Sequence, residues 1–340
     1  MKYLLTIIPV ICVVLLTGCE QELPVPPSNV KPRTVLYSEL VADSVAEVRI
    51  GKSKPVGPGI DNKFEAVTNA EVQLTDKDGK VLETLTYVND PNNNMSVYRG
   101  TRKLTALQNY RIQASTPELK EAVAGAWIPT DFKVTLIDTV RTNLNGRPVL
   151  RFQYNIQPQP GLRQYLVMEA LKQDVRLDTF FHYQGTRYAL KDNRDLYDQI
   201  KDNPGVTTGK DTTFLNSYYR IPCNTQDENA DNNQIGGLNE NYSSIFFAQT
   251  NKPITTNFYI SANALTATIE NGVPAGRVVV YVKSVSKDYY DFLLTYEKVK
   301  RNPGLNSLVQ AIQLRNNVSG GLGIVGGCNQ KVYNLYFDPL

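Results

Sequence analysis

The chain is poor in the residues that carry most enzyme chemistry. Among 340 residues there is one histidine, His182, and one tryptophan, Trp127, with three methionines and four cysteines. A lone histidine rules out a histidine-rich metal site, and any serine triad would have to be built on His182. That residue sits in Phe180-Phe181-His182-Tyr183, which reads as strand. Charge of one sign is also missing as a block. Lys and Arg (36) are interspersed with Asp and Glu (33), for a formal +3, so no nucleic-acid footprint or acidic tail is expected. The acids show no paired arrangement of the kind glycosidases use, and the expectation is a non-enzymatic protein without cofactor or metal.

What is present begins at the N-terminus. One charge, Lys2, precedes an apolar run from Leu4 to Leu16. The run falls short of the ~20 residues of a spanning helix but suits the core of a signal peptide. Leu16-Thr17-Gly18-Cys19 follows, small residues and then a cysteine, and it is similar to a bacterial lipobox. Residues 1–18 are expected to be a lipoprotein signal peptide and Cys19 the acylated first residue of the mature chain. Acyl chains contribute about 0.8 kcal/mol per buried CH₂, so several together form a stable anchor in the outer-membrane bilayer. Residues 19–32, with Pro24, Pro26 and Pro27, read as an extended tether. Glu20 and Glu22 resemble the surface-export signals of Bacteroidota lipoproteins, which implies the cell surface. A tether facing the periplasm is the other reading.

The remaining composition, 41% hydrophobic and 20% charged, is that of a folded chain long enough for two domains. Residues 33–130 carry short alternating runs separated by turns, and predict an immunoglobulin-like β-sandwich. Within it, Asp78-Gly79 marks a hairpin between runs at 70–75 and 81–87. Residues 131–340 predict a larger β-sandwich or barrel-like domain. Long polar loops are expected over 192–234, with one strand near 214–221 inside them. One helix stands out, capped by Ser286, with Tyr289, Phe292, Leu293, Tyr296 and Val299 at three- and four-residue spacing. Asn302-Pro303-Gly304 should end it. The glycine run from Gly320 to Gly327 lacks the lysine of a phosphate loop and reads as a turn that permits close backbone packing, ahead of a last strand at 332–337. Asp227 to Asn233 offers alternating oxygens, but the glycine and glutamate positions of a calcium loop are Asn232 and Leu238. Cys223 and Cys328 are the disulfide candidates in an exported chain, with two free structural thiols as the alternative.

The sequence resembles a family of Bacteroidota outer-membrane lipoproteins built on a domain of unknown function. The lipobox, Asn69-Ala70-Glu71-Val72, Ala126-Trp127-Ile128-Pro129, Ser284-Val285-Ser286-Lys287-Asp288-Tyr289-Tyr290 and Gly320-Gly321-Leu322-Gly323-Ile324 carry the likeness. It implies an accessory role beside a TonB-dependent receptor and transfers no catalytic or binding residue. The expected function is therefore an interaction module of nutrient uptake. Direct glycan or peptide binding through the tyrosine-rich stretch 179–247 is the alternative.

Overall fold

The computed structural model describes residues 31–54, 64–90, 95–238, 240–262, 276–301 and 313–336. The expected signal peptide, Cys19 and the end of the helix at Asn302 to Gly304 lie outside the described residues.

The first unit holds β1 (Thr34–Val41), β2 (Val45–Lys52), β3 (Glu65–Ala66), β4 (Glu71–Asp76), β5 (Val81–Val88), β6 (Ser96–Lys103), β7 (Asn109–Ser115) and β8 (Ala122–Trp127). Period-two alternation sets the inward faces. Ala46, Val48 and Ile50 of β2 meet Tyr110, Ile112 and Ala114 of β7 and the alanines of β8 in one core. The β4–β5 hairpin forms as expected. Gly79 takes φ +86°, and the Asp76 carboxylate accepts the Asp78 and Lys80 amides, which closes the turn. β5 pairs with β4 up to Leu85 and with β6 from Thr86, so it passes from one sheet of the sandwich to the other.

The second unit adds β9 (Lys133–Leu144), β10 (Arg147–Gln157), β11 (Gln164–Tyr183), β12 (Thr186–Ala189), α1 (Arg194–Ile200), β13 (Thr207–Ile221), β14 (Cys223–Asn224), β15 (Ile245–Thr250), β16 (Ile254–Ser261), β17 (Gly276–Val285), α2 (Lys287–Arg301) and β18 (Leu322–Tyr336). The 20-residue β11 is its spine and pairs with β12, β13, β15 and β17. A four-stranded sheet, β14-β16-β10-β9, packs on β11, β17 and β15 through Phe152, Phe258, Phe247 and Val280. The described strands close no barrel; both sheet paths have free ends, and the sandwich form is the one observed. Much of the polar stretch 192–234 is regular: α1 and β13 fill it, because β13 is drawn into pairing along β11. The outer halves of β11 and β13 form an arm with β12 and α1, stabilised by Phe181 between the rings of Tyr188 and Tyr197.

β18 joins the two units. Residues 322–328 pair parallel with β1, and residues 328–336 pair antiparallel with β17. Just before it, Val123 and Ser319 exchange amide hydrogen bonds of 2.9 and 2.8 Å, linking β8 to the same segment. The sandwich expected over residues 33–130 is thus completed by residues from the far end of the chain. Gly320, at φ +77°, and Gly321 make a turn and a bend, and from Leu322 onward the glycine run is this strand rather than the turn expected. A Cβ on Gly323 would strike the Leu36 carbonyl oxygen, one on Gly326 the Tyr289 ring, and one on Gly327 the Trp127 carbonyl oxygen. Packing of other parts of the chain, invisible in the run itself, decides its conformation. α2 lies against β18, with Tyr289 and Tyr290 buried and Tyr296 exposed. Ser286 stands at the start of the helix: its carbonyl accepts the Tyr290 amide at 2.9 Å, and its hydroxyl accepts the Gly327 amide at 3.1 Å, which ties the helix entry to β18.

Replacing Gly323, which also sits at φ +119°, with alanine should lower unfolding free energy by more than ~3 kcal/mol, because backbone rather than a flexible side chain must move. Gly79→Ala, with φ +86° but open space around it, should cost only about 1–2 kcal/mol. Urea titrations of the two variants would show this order; equal losses would contradict the packing.

Candidate functional site

Two features stand where the units meet. The first is a set of four charges spread over four strands, with Lys283 and Glu169 buried and Glu39 and Arg220 nearer the surface. Lys283 of β17 places Nζ 2.5 Å from Glu169 Oε1 of β11 and 3.0 Å from Glu39 Oε1 of β1. The other Glu169 oxygen takes Arg220 Nη1 of β13 at 2.5 Å, and that nitrogen also donates to Ser244 Oγ at 3.1 Å. The side chains of Lys283 and Glu169 are only 9% and 8% exposed. Two cations and two anions make the set neutral. Burial alone would raise the Glu169 carboxyl, but Lys283 and Arg220 hold it below the usual carboxylate range. Burial would lower the Lys283 ammonium, but Glu39 and Glu169 hold it well above the usual amine range. A lysine kept charged in this way is no nucleophile. Beside the charges, the Tyr37 and Tyr289 hydroxyls meet at 3.1 Å, and burial pushes both phenols up. The arrangement clamps β1, β11, β13 and β17 to one another.

The second feature is a groove of about 770 Å³. One wall is the outer face of β7 and β8; the other is formed by the start of β11, the end of β17 and the first residues of α2. Arg111 pairs with Gly125 and Asn109 with Trp127, so the guanidinium and the indole share a face two residues apart. Gly125 leaves room for Arg111: a Cβ there would come within 3.2 Å of its Cγ. Trp127 is 42% exposed, and Leu107, Leu162 and Tyr165 add apolar surface. Among the described residues, Lys77, Arg111, Arg163 and Lys287 line the groove with one acid, Asp288. Arg315 holds Asp288 at 2.7 Å and Asp291 holds Lys287 at 2.5 Å, while Arg111 has no ion pair among the described residues. The surface is apolar in patches and cationic in balance.

Trp127 closes β8, but sequence reasoning did not find the groove, since its walls are more than 30 residues apart in the chain. Three side chains of the 227–233 loop have their oxygens or amide taken up internally. The Asp227 carboxylate accepts the Asn229 amide, Asp231 accepts the Tyr290 hydroxyl at 2.7 Å, and buried Asn232 binds Ser244 and Phe246 backbone. Of the described aromatics in the 179–247 stretch, Phe181, Tyr242, Phe246 and Phe247 are core residues, Phe180, Tyr183, Tyr188 and Tyr197 are half-buried, and Tyr218 and Tyr219 are exposed. His182 is an exposed strand residue at the outer end of β11. Cys223 and Cys328 are free thiols, which corrects the disulfide expected between them. A sheet separates them. Cys223 lies in the core between the two sheets of the second unit, with its thiol donating to the Tyr242 carbonyl at 3.3 Å; Cys328 lies on the other face, beneath α2.

Lys283→Met should destabilise the fold by roughly 3–5 kcal/mol, since it leaves buried carboxylates short of a partner. In the wild type the Glu169 contribution is present at neutral pH and lost as pH falls through its lowered folded pKa; the Lys283 contribution holds at neutral pH and is lost only as pH rises through its raised folded pKa. The gap between wild type and Lys283→Met should therefore narrow as pH drops from about 7 to about 4 in urea titrations, because protonation relieves the stranded acids. A gap that stays constant would show that the charges are uncoupled. Alkylation of the unfolded, unreduced protein should label both Cys223 and Cys328; labelling of neither would restore the disulfide.

A search of curated proteins returns no match to this chain. A model of the domain of unknown function DUF4249 matches residues 20–334, and with nearly its whole length covered the chain belongs to that family.

Proposed function

We propose that this protein is a non-enzymatic interaction module, anchored in the outer membrane by acylated Cys19 at the cell surface, and accessory to a TonB-dependent nutrient-uptake system. The lipobox supports the anchor, and Glu20 and Glu22 support the outer leaflet. The observation that carries the docking role is the groove between the units. It presents an exposed indole, two leucines and the guanidinium of Arg111, which has no ion pair among the described residues. Preformed grooves with an aromatic and an arginine at their centre are where docking energy concentrates. The occupant that fits is a loop of the receptor bearing acidic and apolar side chains.

A second reading, direct binding of an anionic glycan or peptide, has one observation in its favour: Trp127 offers an indole face for stacking with Arg111 beside it.

A mild-detergent pull-down of the C-terminally tagged protein from native outer membranes tests both. Wild type should bring down a TonB-dependent receptor. Cys19→Ala should lose the membrane, and Trp127→Ala with Arg111→Glu should stay anchored and folded while recovering about tenfold less receptor. If wild type comes down alone and calorimetry with glycans or peptides gives a Trp127-dependent signal, the second reading replaces the first.

A further inference from the structure

At the end of the first unit opposite the groove, the chain leads back toward Cys19. There Lys31, Arg33, Lys52 and Lys120 surround a depression of about 620 Å³ whose lining has a single acid among the described residues, Glu118. Lys52 is compensated, by Glu65 at 3.4 Å and Glu118 at 3.6 Å. The others are not. Lys31 and Lys120 are exposed and carry no ion pair among the described residues, and the Arg33 guanidinium, also without one among them, donates to the neutral Gly321 carbonyl at 2.7 Å. Three uncompensated cations thus share one rim.

We infer that this rim is a contact surface for anionic lipid headgroups, which orients the protein on the bilayer with its groove facing away. The inference rests on the acylation of Cys19 proposed above. Two observations carry it. The twelve residues from Glu20 to Lys31 span at most about 40 Å, so this end of the fold stays near the surface that holds the acyl chains. Strand direction then fixes the rest. β1 starts at Thr34 beside the rim and runs toward the second unit, β18 runs parallel to it, and β8 starts at Ala122 beside Lys120 and ends at Trp127 in the groove. The charge and the polarity of the fold agree. Lysine and arginine heads on flexible stems, spread along a rim, suit many headgroup phosphates on a plane better than one enclosed anion. Their attraction acts within about a Debye length, roughly 8 Å at physiological salt, a distance the tether allows.

The test uses the intact acylated protein, held by its own anchor in phosphatidylcholine vesicles with or without about 30% phosphatidylglycerol. Lysine acylation by a neutral reagent is followed residue by residue by mass spectrometry. Lys31 and Lys120 should be labelled at least about threefold more slowly on the anionic vesicles, and the difference should vanish near ~0.5 M salt. Lys201, exposed in the second unit, should label alike on both. Equal labelling of Lys31 and Lys120 on the two vesicle types, with the protein retained on both, would overturn the contact surface and leave the anchor standing. Protein that floats with neither vesicle would overturn the acylation and the surface with it.

Discussion

The structure depends on one backbone contact: residues 322–328 lying parallel to β1. Parallel strands are stable where both faces are covered, and here they are. Val325 enters the core of the first sandwich, while Ile324 and Cys328 face α2. The same strand continues into pairing with β17, so the two units share a continuous hydrogen-bonded ladder rather than a flexible linker. A side chain at Gly323 or Gly327 would force that ladder apart, because the atoms it would meet are backbone carbonyls of β1 and β8. The close approach is what lets a C-terminal strand complete an N-terminal sandwich.

The four charges act on top of that ladder. Hydrophobic packing is nondirectional and tolerates small slips, whereas Lys283 reaching Glu169 and Glu39 at once specifies how β17 stands against β11 and β1. Arg220 extends the same demand to β13, the strand that carries the projecting arm. Such a set adds less stability than its Coulomb terms suggest, since desolvation opposes it, but it penalises any arrangement that separates the partners. The groove walls belong to different units, so their spacing follows from the ladder that joins the two.

Charge and topology also give the molecule a direction. The cationic rim near Lys31 and Lys120 and the groove at Trp127 lie at opposite ends of β8. Membership of the DUF4249 family, matched over residues 20–334, spans both ends and the strand between them.

The sequence by itself determined the local elements. Alternation marked most of the strands, Asp78-Gly79 marked the β4–β5 hairpin, and the spacing of Tyr289, Phe292 and Leu293 marked α2, because each signal is written within a few neighbouring residues. It also determined the mainly β class and the family likeness. Tertiary structure decided whatever depends on residues far apart in the chain. It made the Leu322 to Gly327 segment a strand, tied the Ser286 hydroxyl to the Gly327 amide, and put a sheet between Cys223 and Cys328. The groove was illegible for the same reason. Arg111 and Trp127 form one wall, Tyr165 and Lys287 the other, and no period or motif relates them; only the pairing of β18 with β1 and β17 brings them together.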